Sequence, residues 1–596
     1  MKAHSRSFVQ VALLLVLLVL AIAPVTRAQT DPLLPIPAAL PQHFALGLSA
    51  HPNDSGLYGW MPDSEIPWDY AYQYLAGGVN TGNGWRTWNT DAQFPLLYAR
   101  GAAEQDAIPV FPYYMLYQSN GPCLGCGEAE HDLALLNDPQ TMAAYYEDFA
   151  LLMKRLGPGL HDGIAGYGDV AIVHVEPDLS GYAMHAVLDN SHCYGHCGGQ
   201  GNDPALLGAA VSSSGVADVA GYADTYQGFN WALLHLRDLY APNVLLAFHV
   251  STWAPVYDVG TSTDPTLDAN ALGEAAGAFA ALSGVSTAPQ GTSTYDLLFN
   301  DVADRDAGYY QYVRGDPSRW WDRLNVTYPN FQRWEQYLGA AVRVAGRPAL
   351  VWQIPLGNQR YASMNNSDGH YQDNRAEYFL EHVDELAASG VIGLLFGRGN
   401  AGSTTLYDDR LDGVTNPPAF CTTDGVSSGQ MCNETISDHP DDDGGYLRLT
   451  ARQYYLAGPL LLEGGVALPP APTPSSIPGG DVTPVESLSI ALGASACDPT
   501  FAPPGQDVYV LQSFTASRDA VVLVDFELYD AQGTQVWQAW HASYEVFAAE
   551  TATSSASFRV PNDLAAGDYT FKVGVFSTDW TTLYAWNDNA GVLTVP

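Results

Sequence analysis

The chain has 596 residues, 47% of them hydrophobic and only 15% charged, which fits packed cores in two or three domains and excludes a disordered chain. Sixty-four acidic against 24 basic residues leave a formal charge of −40, which disfavours nucleic acid and anionic membrane as partners and favours neutral or cationic ones. The lysines are Lys2, Lys154 and Lys572, so Schiff-base chemistry has almost no nucleophile to use.

At the amino terminus, Lys2 and Arg6 precede an apolar run over residues 8–22 and then Val25-Thr26-Arg27-Ala28. That is the pattern of a secretory signal cleaved after Ala28, and it implies an extracellular or cell-surface protein. An uncleaved anchor is the rival reading, because the run approaches the length of a short membrane span. From residue 29 to 466, strand-like apolar runs alternate with amphipathic helical stretches. The runs are 43–49, 77–81, 108–116, 170–175, 244–250, 295–300, 349–354 and 391–396, and helices are expected at 139–156, 225–240, 330–344 and 375–388. Eight such units predict a closed (β/α)8 barrel of the α/β class, with an open doubly wound sheet as second choice. No GxGxxG or GxxxxGK follows any strand, which removes the usual support for a nucleotide site.

Residues 467–486 are a Pro-rich linker, and 487–596 hold short alternating runs separated by turns, which predict a β-sandwich, Ig-like or carbohydrate-binding. Its Trp537, Trp540, Trp580, Tyr584 and Trp586 either form a sugar-stacking platform or fill a core. The seven cysteines fall as Cys123 with Cys126, Cys193 with Cys197, Cys421 with Cys432, and Cys497 alone. Export favours local disulfides; the alternative is a zinc site made with His192 and His196.

In a barrel, residues at the carboxyl ends of the strands converge on one site. The most informative stretch is Val170–Tyr182 in that respect: its apolar run stops at Glu176-Pro177-Asp178. The other strand ends supply Trp85, Tyr114, His249, Trp253, Asp301, Asp304, Asp306, Gln353 and Arg398. Carboxylates among aromatic rings suit a ligand with many hydroxyls and apolar C–H faces, most simply a polysaccharide or oligosaccharide. Glycoside cleavage needs one protonated carboxylic acid and one ionised carboxylate. Glu176 is expected to be the acid and Asp301 the base or nucleophile, with Asp178, Trp85, Tyr114, His249, Trp253, Asp304, Asp306, Gln353 and Arg398 binding substrate. No cofactor is expected, and no HxH or HExxH spacing supports a metal.

The Glu176-Pro177 step resembles the Asn-Glu-Pro of the retaining barrel-clan glycosidases, in which the strand-four Glu is the acid/base. Val175-Glu176-Pro177-Asp178 is also similar to the Glu-Pro-Asp motif of family-six cellulases. Where that clan carries its strand-seven nucleophile Glu, this chain has Gln353, which is neutral at every pH. The resemblance implies a secreted glycoside hydrolase cleaving a neutral, β-glucan-like polysaccharide. Gln353 keeps open a non-catalytic carbohydrate-binding or surface-interaction protein on a degenerate barrel.

Overall fold

The computed structural model describes residues 33–49, 66–123, 125–189, 201–255, 257–359, 371–397, 446–462, 464–467, 488–518, 520–546, 551–562, 564–577 and 582–596. They divide into two compact units, within Met1–Thr473 and within Pro474–Pro596.

In the first unit eight parallel strands close into a barrel in chain order: β1 (Ala45–Ser49), β2 (Tyr70–Tyr72), β3 (Ile108–Tyr113), β4 (Ala171–Val175), β5 (Val244–His249), β6 (Leu297–Asp301), β7 (Ala349–Ile354) and β8 (Val391–Phe396). Strand β8 pairs back onto β1, with Gly393 opposite Ala45 and Phe396 opposite Leu48, so the cylinder has no free edge. Interior side chains from separate strands meet ring to ring. His174 of β4 lies 4.3 Å from Phe299 of β6 and 4.6 Å from Trp352 of β7 between ring centroids.

The surrounding helices include α1 (Phe94–Ala103), α2 (Glu128–Leu136), α3 (Pro139–Leu156), α4 (Pro177–Asp189), α5 (Tyr226–Tyr240), α6 (Ala269–Ala280), α7 (Phe331–Ala345), α8 (Arg375–Glu381), α9 (Val383–Ala388) and α10 (Tyr446–Ala457). Local sequence sets their starts. Asp138, Thr225 and Asn330 each accept a hydrogen bond from the backbone N–H three residues on, at 2.8, 3.0 and 2.8 Å. Helix α3 buries Met142, Tyr145, Phe149, Leu152 and Leu156, the stripe its spacing predicts. The helix expected over 375–388 is two segments, because His382 leaves the helical region at φ −124°, ψ 37°.

Strand two is displaced from the expected position at 77–81. Gly77 and Gly78 adopt φ of +101° and +80°, outside the range of a ladder, and a Cβ on Gly77 would lie 2.5 Å from the Asn83 carbonyl. The ladder instead uses Tyr70-Ala71-Tyr72, fully buried and paired with Gly47–Ser49 and Ile108–Val110. At three residues it is too short for an alternation pattern to reveal.

The second unit is a β-sandwich. One sheet holds β9 (Ile490–Asp498), β10 (Asp507–Ala516) and β13 (Thr551–Arg559); the other holds β11 (Ala520–Tyr529), β12 (Gln535–Val546), β14 (Gly567–Phe576) and β15 (Leu583–Val595). Val510, Phe514, Val524, Phe526, Phe571 and Val573 fill its core. Of the expected aromatics, Trp537 packs 5.3 Å from Phe558, Trp540 is 54% exposed, and Trp580 lies outside the described residues. Cys123 and Cys126 form a disulfide and Cys497 is a buried free thiol; the remaining cysteines, His192 and His196 lie outside the described residues.

Candidate active site

The carboxyl ends of the barrel strands and the loops beyond them enclose a cleft of about 780 Å³. Asp178, Asp301, Tyr114, His249, Trp253, Asp304 and Gln353, all expected from strand-end positions, line it together. Its walls are aromatic. Tyr182 packs 4.8 Å from Trp253, and Tyr74 lies 5.4 Å from Trp352. Trp253 reaches this position because residue 181 of α4 is glycine: a Cβ there would lie 2.5 Å from its ring.

Two carboxyl groups dominate the electrostatics. Asp301 ends β6, with Oδ1 hydrogen-bonded to His249 Nε2 at 3.1 Å; among the described residues its other oxygen has no partner. Asp178 occupies the first turn of α4, directly after Pro177. Burial, then the charges of Glu128 and Asp301, then a hydrogen bond shared with Glu128 and the charge of Asp304, push its carboxyl well above the usual range. Asp178 therefore keeps its proton to higher pH than a solvated Asp does. Glu128 in turn accepts from the Tyr114 hydroxyl. Asp304 is committed to Arg305 and to the Tyr310 hydroxyl.

Four expected site residues require correction or fall outside. Glu176 does not line the cleft. Its carboxyl turns beneath the floor, where Oε1 accepts from the backbone N–H groups of Met115 and Leu116 at 3.2 and 3.1 Å, and it is 2% exposed. Burial pushes it up to about 8, against lowering by the nearby Tyr145 hydroxyl and by the backbone N–H groups of Met115 and Leu116. The chain turns sharply here, with Glu176 at φ +38°, so the next residues and not the carboxyl of Glu176 reach the cleft. Gln353, at the end of β7, also has a positive φ of +55°. Non-glycine residues in this region cost on the order of 1–3 kcal/mol and cluster at functional sites.

Asp306 is fully buried and accepts from the Gly357 N–H at 3.0 Å, so it holds the β6 and β7 loops together away from the cleft. Arg398 lies outside the described residues. Trp85 is also completely buried, because the shift of strand two moves that strand's contribution to the cleft from Trp85 to Tyr74 and Ala76. Its indole N–H donates to Asp148 of α3 at 2.8 Å, alongside the Tyr113 hydroxyl at 2.8 Å. Replacing Trp85 by Phe removes one of those donors from a buried carboxylate. The expected cost is about 1–3 kcal/mol of stability in urea unfolding, with ligand affinity unchanged; an unaltered midpoint would show the bond to be dispensable.

Sequence reasoning missed Glu128, Tyr182, Asp258 and Arg319. Glu128 opens α2, fifteen residues beyond the end of β3, and no strand-end rule reaches that far. Tyr182 was accessible to one: it stands one helical turn after Asp178 on the same face of α4.

No protein-family model matches the chain, and no curated protein does. Solved structures resembling it include a modular endo-β-1,4-mannanase from Cellulomonas fimi, at 13% identity over 93% of this chain and 94% of that one, with a TM-score of 0.33. A GH5_18 protein from Streptomyces cattleya in complex with GlcNAc matches at 11% identity over 70% and 80%, also with a TM-score of 0.33. The C-terminal domain of wzt matches at 16% identity over 19% of this chain and 79% of that domain, with a TM-score of 0.17. No residue role follows from likenesses this distant.

The only cluster of metal-ligating side chains among the described residues is Cys123, Cys126 and Glu130, and its two sulfurs are bonded to each other. No helix among the described residues is long and apolar enough to cross a membrane.

Proposed function

We propose that this chain is a secreted glycoside hydrolase acting on a neutral polysaccharide of the β-glucan type, with Asp178 as general acid and Asp301 as base or nucleophile. One observation carries the reading: Asp178, whose buried carboxyl is pushed well above the usual range, and Asp301, with an uncommitted oxygen, face the same aromatic-walled cleft. The Asp178 proton passes to the glycosidic oxygen as its bond to the anomeric carbon breaks, leaving Asp178 a carboxylate, while Asp301 Oδ2 meets the anomeric centre directly or through a water. Tyr74, Tyr182, Trp253 and Trp352 offer ring faces to the C–H surfaces of the sugars. Gln353 binds a hydroxyl. Secretion rests on the signal pattern of residues 1–28.

The test is reducing-end release by the purified protein from a panel of soluble β-glucan, mannan, xylan and an anionic polyuronate. Release from a neutral glycan, with the polyuronate untouched, is expected. A second reading, carbohydrate binding without cleavage, is favoured by Gln353 at the position where the barrel clan carries its nucleophile. Glycan retention in affinity electrophoresis with no release from any substrate would establish that reading in place of the first.

A further inference from the structure

Behind Asp301 lies a buried chain of two imidazoles. His174 Nε2 is 3.0 Å from His249 Nδ1, and His249 Nε2 is 3.1 Å from Asp301 Oδ1. His174 is fully buried and His249 is 1% exposed, so bulk solvent does not reach them. The far nitrogen of His174, Nδ1, has no partner among the described residues, and the His174 ring packs against the rings of Phe299 and Trp352.

That unpartnered atom decides which way the protons point. In one arrangement His174 Nε2–H donates to His249 Nδ1, and His249 Nε2–H donates to the Asp301 carboxylate; the atom left over is a bare imidazole lone pair. In the reverse arrangement Asp301 carries the proton and His249 donates to His174, which leaves a buried N–H on His174 with nothing to accept it. Orphaned buried N–H donors are rare, and under-satisfied acceptors are somewhat better tolerated. Burial and the neighbouring His249 hold His174 well below the usual histidine range, so it is neutral and cannot feed both arrangements.

We propose that His174 is a positioning residue: without touching the cleft, it fixes His249 as the Nε2–H tautomer, and His249 thereby anchors Asp301 Oδ1 and leaves Oδ2 facing the ligand. The inference rests on the reading of Asp301 as the reactive carboxylate for its consequence in catalysis, but not for the tautomer it assigns. The relay acts on orientation alone, and no proton crosses it during the reaction. His174 differs in this from the titrating imidazole of a hydrolytic triad.

The tautomers are read directly by long-range 15N–1H correlation on the full chain labelled in histidine, with His174→Phe and His249→Phe spectra giving the assignments. Both imidazoles are expected as Nε2–H tautomers at neutral pH. In His174→Phe, which replaces the ring by an apolar one of similar size, His249 is expected to become a mixture of tautomers. In His174→Gln, whose amide reaches the place of Nε2 and donates to His249 Nδ1, the single tautomer is expected to return. Turnover of soluble β-glucan should fall at least tenfold in His174→Phe at unchanged KM and recover in His174→Gln. A Nδ1–H tautomer at His249 in the unaltered protein, or an unchanged tautomer in His174→Phe, overturns the inference whether or not any glycan is cleaved. The expected tautomers with no turnover of any glycan would overturn the hydrolase reading and leave the relay standing.

Discussion

Replacing Asp178 by Asn is expected to lower kcat for glycan hydrolysis by about 10²–10⁴-fold, the range lost with a general acid, while the barrel stays folded. The side chain sits in the first turn of α4 at the cleft, and an amide of the same shape keeps the helix start but has no proton to give. Activity that depends on a protonated Asp178 is lost as pH rises through its pKa. Because burial and the charges of Glu128 and Asp301 raise that pKa, the alkaline limb should lie well above pH 4, the ordinary carboxylate range. Glu128→Gln removes the largest of those charges, so the limb is expected to move to lower pH, with turnover at the optimum reduced less than in Asp178→Asn. Rate profiles of the three proteins on one substrate check both statements. Wild-type turnover in Asp178→Asn, or an alkaline limb unmoved in Glu128→Gln, would remove Asp178 from the mechanism.

Glu176→Gln should have the opposite character: little change in turnover and a large change in how stability responds to pH. The Glu176 carboxyl is pushed up to about 8 in the folded chain, against an ordinary value near 4.3 when unfolded. Below about pH 4 both states hold the proton and it contributes nothing. Between about pH 4 and 8 the unfolded chain releases the proton and the folded chain keeps it. The native state therefore loses stability as pH rises, by about 1.4 kcal/mol per unit and on the order of 5 kcal/mol in all. A glutamine can still accept from the Met115 and Leu116 N–H groups and does not titrate. Urea unfolding of both proteins at pH 5, 6.5 and 8 is expected to give a stability difference that shifts steadily in favour of the variant as pH rises. Parallel pH profiles would mean that Glu176 is ionised in the native protein. Loss of turnover together with the expected divergence of the profiles would return it to the cleft as the acid.

The two carboxyls illustrate how far residue order alone can be taken. Glu176 and Asp178 are two residues apart, and the abrupt end of an apolar run marks both as strand-end acids. Which of them faces the cleft depends on the left-handed turn at Glu176, and the local pattern does not encode that conformation for a non-glycine residue. Trp85 failed for a related reason. Gly77 to Thr81 read as a strand by their apolar run, and the placement of every later residue in that segment inherited the error.

What the sequence by itself determined is the repeating architecture: seven of eight strands, the caps at Asp138, Thr225 and Asn330, the β-sandwich, and seven of the side chains in the cleft. These follow from periodicity and capping, which act over a few residues and leave their mark in order and spacing. Only the tertiary structure decided that Glu128 shares a hydrogen bond with Asp178, that Tyr74 takes the place expected of Trp85, and that His174 stands behind His249 and Asp301. Each of these joins residues far apart in the chain, and closure of the barrel brings them within bonding distance. Burial then sets the protonation on which the proposed chemistry depends, and burial is a property of the closed cylinder that no local pattern carries.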